Sequence, residues 1–117
     1  MEKWRKVWRK GFKPLLNESA LKALKKALEE NDPKLIQGMI VVPFYSLNKI
    51  KCVCPIAYCG WIGDNLSTVE EVNEFFSRMC FECGERMGEP SACRYFLNFW
   101  DENPKEEVRK LLLEELN

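Results

Sequence analysis

The sequence contains no histidine, and this absence removes several kinds of functional site. A Ser-His-Asp triad and a Cys-His pair both rely on an imidazole as the general base. The mixed cysteine and histidine sites of many zinc proteins rely on it as a ligand. Hydrolases of these kinds are therefore excluded, and a metal site in this chain has to be built from cysteine, alone or with a carboxylate.

Long apolar runs are missing too. The residues of 39–42 are all apolar, but the run stops at Pro43, far short of the roughly 18 residues that a membrane-spanning helix needs. No apolar segment follows the basic residues at the N-terminus, so the sequence indicates no secretory signal. We therefore expect a cytoplasmic protein, in a compartment that keeps cysteines reduced.

The chain also lacks net charge, with 18 basic and 18 acidic side chains, so no overall field draws it to nucleic acid or to anionic lipid. The charges are unevenly placed, however. Residues 1–13 carry six basic side chains against Glu2, and residues 64–90 carry seven acidic ones against two arginines. These two segments either attract each other within the fold or face separate partners.

The length of 117 residues, with 46% hydrophobic and 31% charged residues, suits one globular domain with one hydrophobic core. We predict a single helical domain over residues 1–117. The fold class is mainly α: a compact bundle of about five short helices, with one short β-hairpin near residues 39–54 as an option. The alternative for that segment is a helix beginning at Asp32-Pro33.

The helix predictions rest on apolar spacing and on capping residues. The predicted helices are residues 2–10 ending near Gly11, a second helix capped by Asn17 and ending at Asn31, a long helix after a capping box at Ser67-Thr68-Val69-Glu70, one opened by Pro90, and a last one starting at Asn103-Pro104. Pro55, Gly60 and Gly63 interrupt residues 54–66, which we predict to form an ordered loop.

Six cysteines stand at positions 52, 54, 59, 80, 83 and 93. A four-thiol site for zinc, or for an iron-sulfur cluster, would use Cys52, Cys54, Cys80 and Cys83, or Cys54 and Cys59 in place of the first two. Positions 80 and 83 also fall on the apolar face of the long helix, where free cysteine packs well. Packed free thiols, and hence no cofactor, are the favoured interpretation; zinc comes next, and a disulfide or redox pair is a further alternative.

Two segments are candidates for binding a partner. Trp4, Arg5, Trp8 and Arg9 alternate aromatic and basic side chains, as membrane-surface helices and nucleic-acid platforms do, although tryptophans packed on the core with solvated cations are the simpler interpretation. A second list comes from the predicted loop: Tyr58, Trp61, Ile62 and Asp64. A loop this apolar is either covered by the domain or used for binding.

These observations favour a small, non-catalytic interaction or regulatory protein whose partner is another protein, with a homodimer as one form of that. An all-cysteine metalloprotein is the first alternative, and a basic N-terminal helix that binds a membrane surface or nucleic acid is the second. An enzyme with a cysteine nucleophile lacks an identified base. The favoured hypothesis predicts that Trp61→Ala loses a partner without unfolding the domain.

Overall fold

A computed structural model gives the structure of residues 1–45 and 48–117. Over these residues it is 65% helix, with six α-helices and a small antiparallel sheet of two strands. The predicted fold class, mainly α with a short hairpin, is confirmed. No helix of the described residues is long and apolar enough to cross a membrane.

The N-terminal helix runs further than its sequence suggests. Helix α1 (Lys3–Lys6) continues as a π-helix (Val7–Phe12) and ends in a 3-10 turn (Lys13–Leu15). The predicted end near Gly11 is one residue short of the end of the π-helix, and the sequence does not predict the 3-10 turn that follows. Glycine stands at position 11 because the segment lies against another helix: a Cβ at this position would be 2.6 Å from the sulfur of Cys83.

Helix α2 (Glu18–Glu29) begins where its cap predicts. The side chain of Asn17 accepts a hydrogen bond from the backbone N–H of Ala20 at 2.7 Å, which satisfies one of the free amides of the first turn. Asn31, which follows the helix, has a positive φ of 50°. This left-handed backbone conformation ends the helix and lets the chain turn toward the sheet.

The predicted hairpin forms, and the alternative helix from Asp32-Pro33 does not. Strand β1 (Val41–Pro43) pairs antiparallel with β2 (Ile50–Val53), with Val41 opposite Val53. The other edge of β2 is also occupied, because the N–H of Val53 donates to the carbonyl of Lys34 and the N–H of Ile36 donates to the carbonyl of Val53. These bonds make Leu35 an isolated parallel bridge partner of Val53, which excludes the helix.

Residues 54–66 are the clearest failure of the sequence prediction. In place of a loop, helix α3 (Pro55–Tyr58) runs directly into a π-helix (Cys59–Gly63). Pro55 occupies the first turn, where its missing N–H costs no hydrogen bond. The glycines allow close packing: a Cβ at Gly63 would lie 2.5 Å from the Cβ of Ala20, on α2.

Three further helices complete the chain. Helix α4 (Val69–Met87) is the long helix that the sequence predicts, but its capping box uses Thr68 and Glu71, one residue later than predicted. Helix α5 (Cys93–Glu102) starts three residues after Pro90, and α6 (Lys105–Leu116) follows Pro104. Their buried faces carry the apolar residues that set the predicted periodicity, including Phe76, Phe96 and Trp100.

The centre of the core is aromatic. Trp8 and Phe12, from the N-terminal π-helix, pack on Phe96 of α5 with ring centroids 5.6 and 5.5 Å away. Trp4 stacks on Phe99 at 3.7 Å. The expectation that both N-terminal tryptophans pack on the core is confirmed.

Candidate functional site

The cations of the N-terminal candidate segment are paired within the fold. Arg5 Nη1 donates to Glu115 at 2.6 Å, and Arg9 donates to the same carboxylate through Nε and Nη2, at 2.5 and 2.9 Å. The partner lies on α6 and not in the acidic segment 64–90, so the first of the two alternatives, attraction between those segments, does not hold for these arginines. Trp4 and Trp8 are buried, which leaves little of this segment free to bind.

The second candidate segment, around residues 58–64, is also mostly turned inward. Tyr58 is buried, and its ring packs edge-on against half-buried Trp61 with centroids 6.4 Å apart. Asp64 accepts a hydrogen bond from Asn17 Nδ2 at 2.8 Å, which ties the segment to the start of α2. Ile62 is exposed, so it is the apolar side chain of this segment most available to a partner.

The four cysteines proposed as metal ligands lie on different elements. Cys52 is on β2, Cys54 caps α3, and Cys80 and Cys83 are on α4. The sulfur of Cys54 accepts a hydrogen bond from the N–H of Ala57 at 3.5 Å. In the two stretches with described structure, no group of three or more acidic, cysteine or histidine side chains is arranged to hold a metal ion.

Burial keeps several of the thiols protonated. It raises the pKa of Cys54 and of Cys83 to about 12, and it also raises the pKa of Cys59. Thiols with such pKa values carry almost no thiolate at neutral pH and are poor nucleophiles. For these three residues, packed free thiols are the interpretation that fits the structure.

A groove that the sequence did not indicate lies between residues 38–40, α4 and α5. Its volume is about 510 Å³, within the range of roughly 300–1,000 Å³ that is usual for binding sites. The apolar part of its lining comes from these residues: Met39, Ile40, Phe76 and Leu97. The thiols of Cys54, Cys80 and Cys93 also line it, and Arg94 and Asp101 supply a charge of each sign.

Hydrogen bonds hold the walls of this groove in place. Asp101, on α5, accepts from the N–H of Gly38 at 2.9 Å, and Gln37 Nε2 donates to the carbonyl of Trp100 at 2.6 Å. The carbonyl of Ile40 accepts from the N–H of Cys54 at 2.9 Å. The groove is therefore formed before any ligand binds.

The wall formed by residues 38–40 continues into the most apolar part of the surface. Seven large apolar side chains are exposed in the described part of the chain, and four of them fall within residues 39–45: Met39, Ile40, Phe44 and Tyr45. Tyr45 is 97% exposed. Single exposed apolar residues are ordinary, whereas a concentration of them in one segment is typical of a binding surface.

No family model, curated protein or solved structure matches this chain. The candidate site therefore has to be argued from its own geometry.

The sequence contains one signal for the groove, the apolar run at 39–42, but by itself that run predicts only the hairpin. A strand of three residues at one end of that run cannot bury all of it. The contribution of α5 has no local signal in the sequence, because the residues of α4 and α5 that line the same groove are set by how the two helices pack.

Proposed function

We propose that this chain is a non-catalytic interaction protein that binds a segment of another protein in the groove between residues 38–40, α4 and α5. An apolar side chain of the partner occupies the groove. The exposed apolar residues of 39–45 then extend the interface along the hairpin.

The observation that carries this proposal is the coincidence of a preformed groove with the concentration of exposed apolar side chains. Protein interfaces typically combine an apolar centre with a polar rim. In this groove Met39 and Ile40 supply the apolar centre, and Arg94 and Asp101 supply the polar rim. A large apolar side chain buried there contributes roughly 1.5–3 kcal/mol to binding, enough to make the groove the anchor of an interface.

The proposed location is the cytoplasm. All six cysteines are free thiols, and such a set persists most readily in a reducing compartment. This proposal agrees with a role in binding another intracellular protein.

Site-specific photo-crosslinking in cells of the source organism tests the proposal. A benzophenone amino acid is placed at position 40, in the groove wall, or at position 62, in the alternative candidate segment. Ile40 and Ile62 form a matched pair, since they are the same residue type and are 40% and 37% exposed. A third probe replaces Phe81, which is 67% exposed on α4 and controls for mere accessibility.

The expected result is a discrete crosslinked product from position 40 that is absent or at least tenfold weaker from positions 62 and 81. Equal products from all three positions would indicate nonspecific contact and would overturn the proposal. A product from position 62 alone would move the interface to the segment 58–64, as the sequence first suggested.

A further inference from the structure

The small sheet has one occupied edge and one open edge. At the edge formed by β2, the N–H of Val53 donates to the carbonyl of Lys34 at 2.8 Å, and the carbonyl of Val53 accepts from the N–H of Ile36 at 2.9 Å. The sheet has two strands, so its other edge is the outer side of β1.

The register of the hairpin shows which backbone groups β1 turns to that outer side. In an antiparallel pair, directly opposed residues alternate between exchanging both hydrogen bonds and exchanging none. Val41 lies opposite Val53, and both backbone groups of Val53 bond on the other side of the sheet. The N–H and the carbonyl of Val41 therefore point away from β2. The bond from the N–H of Cys54 to the carbonyl of Ile40, at 2.9 Å, fits the same alternation.

These two backbone groups of Val41 have no hydrogen-bond partner among the residues of the two described stretches. Val41 is half-buried and Pro43 is exposed, and Ile40 is 40% exposed. An unpaired N–H and carbonyl on an edge strand form a template on which an extended chain adds as a further strand.

The open edge is continuous with the groove of the proposed function. Met39 and Ile40, which line the groove, immediately precede Val41 in the chain. A segment that pairs with Val41 therefore lies beside this wall. Successive side chains of a strand point to opposite faces, so every second side chain of the segment faces the same way, and one of them enters the groove.

The charges at the groove indicate which sequence such a segment carries. The carboxylate of Asp101 accepts a hydrogen bond from the N–H of Gly38 at 2.9 Å. Arg94 is exposed and forms no salt bridge within the part of the chain that the structure describes. The charge that is left without a partner at the groove is therefore positive, and a carboxylate on the bound segment complements it.

Pro43 argues against a second copy of this chain as the occupant. Proline has no N–H, so position 43 donates nothing to an added strand. Edge strands that avoid pairing with copies of themselves often carry proline. Two copies joined through β1 would each bring this proline to the edge of the other, whereas a segment of another protein is free of that restriction.

We propose that the partner binds as an extended segment that adds a third strand at the outer edge of β1, places one large apolar side chain in the groove and brings an acidic residue to Arg94. This inference rests on the proposed function and names the class of peptide that the groove accepts. Backbone bonds to Val41 supply affinity that does not depend on sequence, and the groove and Arg94 supply the selectivity.

Peptide selection on the full chain tests the proposal. A phage-displayed library of random peptides, each long enough to form one strand, is selected on the immobilised protein, and the enriched peptides are synthesised for affinity measurements. The enriched peptides should share a large apolar residue and a nearby Asp or Glu, and Arg94→Gln should remove the preference for the acidic residue. Enriched peptides without a common acidic residue would contradict the role of Arg94.

Two substitutions at position 41 separate the backbone from the side chain. Val41→Pro and Val41→Ala both remove the valine side chain, but only proline also removes the outward N–H. We expect Val41→Pro to bind the peptides about tenfold more weakly than Val41→Ala does, because the bound segment then keeps an unpaired carbonyl. Equal affinities of these two variants would overturn strand addition.

Ile40→Asp distinguishes failure of this inference from failure of the proposed function. Enriched peptides that lose affinity for Ile40→Asp but bind Val41→Pro and Val41→Ala equally would leave the groove in place and remove only the added strand. Enriched peptides that bind Ile40→Asp as well as they bind the unmodified chain would overturn the groove itself, and the inference with it.

Methylation of the peptide backbone gives a readout that does not depend on the folding of any variant. A methyl group on the peptide nitrogen that donates to the carbonyl of Val41 should weaken binding about tenfold. Methylation of the residue on either side should have little effect, because the N–H groups of those residues point away from β1. Loss of binding at several consecutive residues would indicate a helical peptide and would overturn the proposal.

Hydrogen exchange at two neighbouring amides tests the state of the edge itself. By the alternation of the ladder the N–H of Val42 points toward Cys52, its partner on β2, so it should exchange slowly with and without peptide. The N–H of Val41 should exchange fast in the free chain and should be slowed about tenfold or more by a saturating peptide. Slow exchange of Val41 in the free chain would show that the edge is already covered, and would overturn the proposal.

Discussion

Glu115, near the end of α6, accepts two hydrogen bonds from Arg9 of the N-terminal π-helix, at 2.5 and 2.9 Å. Arg5 donates to the same carboxylate, whose side chain is only 5% exposed. The contact joins the two ends of the described chain. It also explains why Arg5 and Arg9 are not free cations at the surface.

This contact predicts a pH-dependent contribution to stability. Hydrogen bonds from Arg9 and, against the opposing effect of burial, from Arg5 hold the pKa of Glu115 below its ordinary value of 4.5. A carboxylate with a lowered pKa in the folded state stabilises the fold above its unfolded pKa and loses that effect as the pH falls through its folded pKa. Glu115→Gln should therefore destabilise the protein at pH 7, and the difference should shrink below about pH 4.5.

Urea unfolding of both proteins between pH 3 and pH 7 measures this difference. Glu114→Gln is the matched control, because Glu114 is 66% exposed and lies 3.9 Å from Arg5. It should change the free energy of unfolding less than Glu115→Gln at every pH. Equal effects from the two substitutions would show that the arginines do not depend on Glu115.

Two fully buried tryptophans differ in the hydrogen bonding of their indoles. Trp100 Nε1 donates to the carbonyl of Ile36 at 2.8 Å, whereas Trp8 Nε1 has no partner among residues 1–45 and 48–117. Replacement by phenylalanine removes a similar volume at each site, but only Trp100→Phe also breaks a hydrogen bond. Trp100→Phe should therefore lower the free energy of unfolding by about 1 kcal/mol more than Trp8→Phe does. Equal losses of unfolding free energy would contradict this account.

The start of α4 can be located by a pair of neighbouring substitutions. The Thr68 hydroxyl accepts from the N–H of Glu71, and the Glu71 side chain accepts from the N–H of Thr68. Thr68→Ala should therefore reduce the free energy of unfolding by about 1 kcal/mol. Ser67→Ala should reduce the free energy of unfolding clearly less. If thermal unfolding shows the larger loss for Ser67→Ala, the capping box begins at Ser67 and not at Thr68.

The π-helix after α3 depends on close packing at its glycines. A Cβ at Gly63 would lie 2.6 Å from the backbone Cα of Ala20, which cannot move without shifting α2. At Gly60 the nearest atom is Phe75 Cδ1 at 2.5 Å, which belongs to a side chain and not to the backbone of a neighbouring helix. We expect Gly63→Ala to cost roughly 2–3 kcal/mol and Gly60→Ala about 1 kcal/mol in chemical unfolding. If Gly63→Ala left the free energy of unfolding unchanged, the packing between Gly63 and Ala20 would be looser than the structure indicates.

The sequence predicted most of the elements whose signals are local. The apolar periodicity of α4 and the cap at Asn17 each involve residues within a few positions of one another, and both predictions are confirmed. The segment 54–66 has the sequence pattern of a loop, although its glycines are there for close contacts with α2 and α4. Such contacts are not visible in the segment itself.

The candidate site was harder to predict for the same reason. Cys80, on α4, and Cys93, on α5, line the same groove, although no motif in the sequence connects them. The groove combines residues 38–40 with faces of α4 and α5, so no single stretch of sequence carries its pattern. Trp4 and Trp8, which the sequence offers as candidates for a binding surface, are buried in the core.

The affinity of the partner captured at position 40, measured with purified proteins, tests the proposed groove most directly. Ile40→Asp places a charge in the groove wall and should weaken binding at least tenfold, which corresponds to about 1.4 kcal/mol. Ile62→Asp should leave the dissociation constant within about twofold of the unmodified chain. Unchanged binding by Ile40→Asp, with both variants folded, would contradict the account.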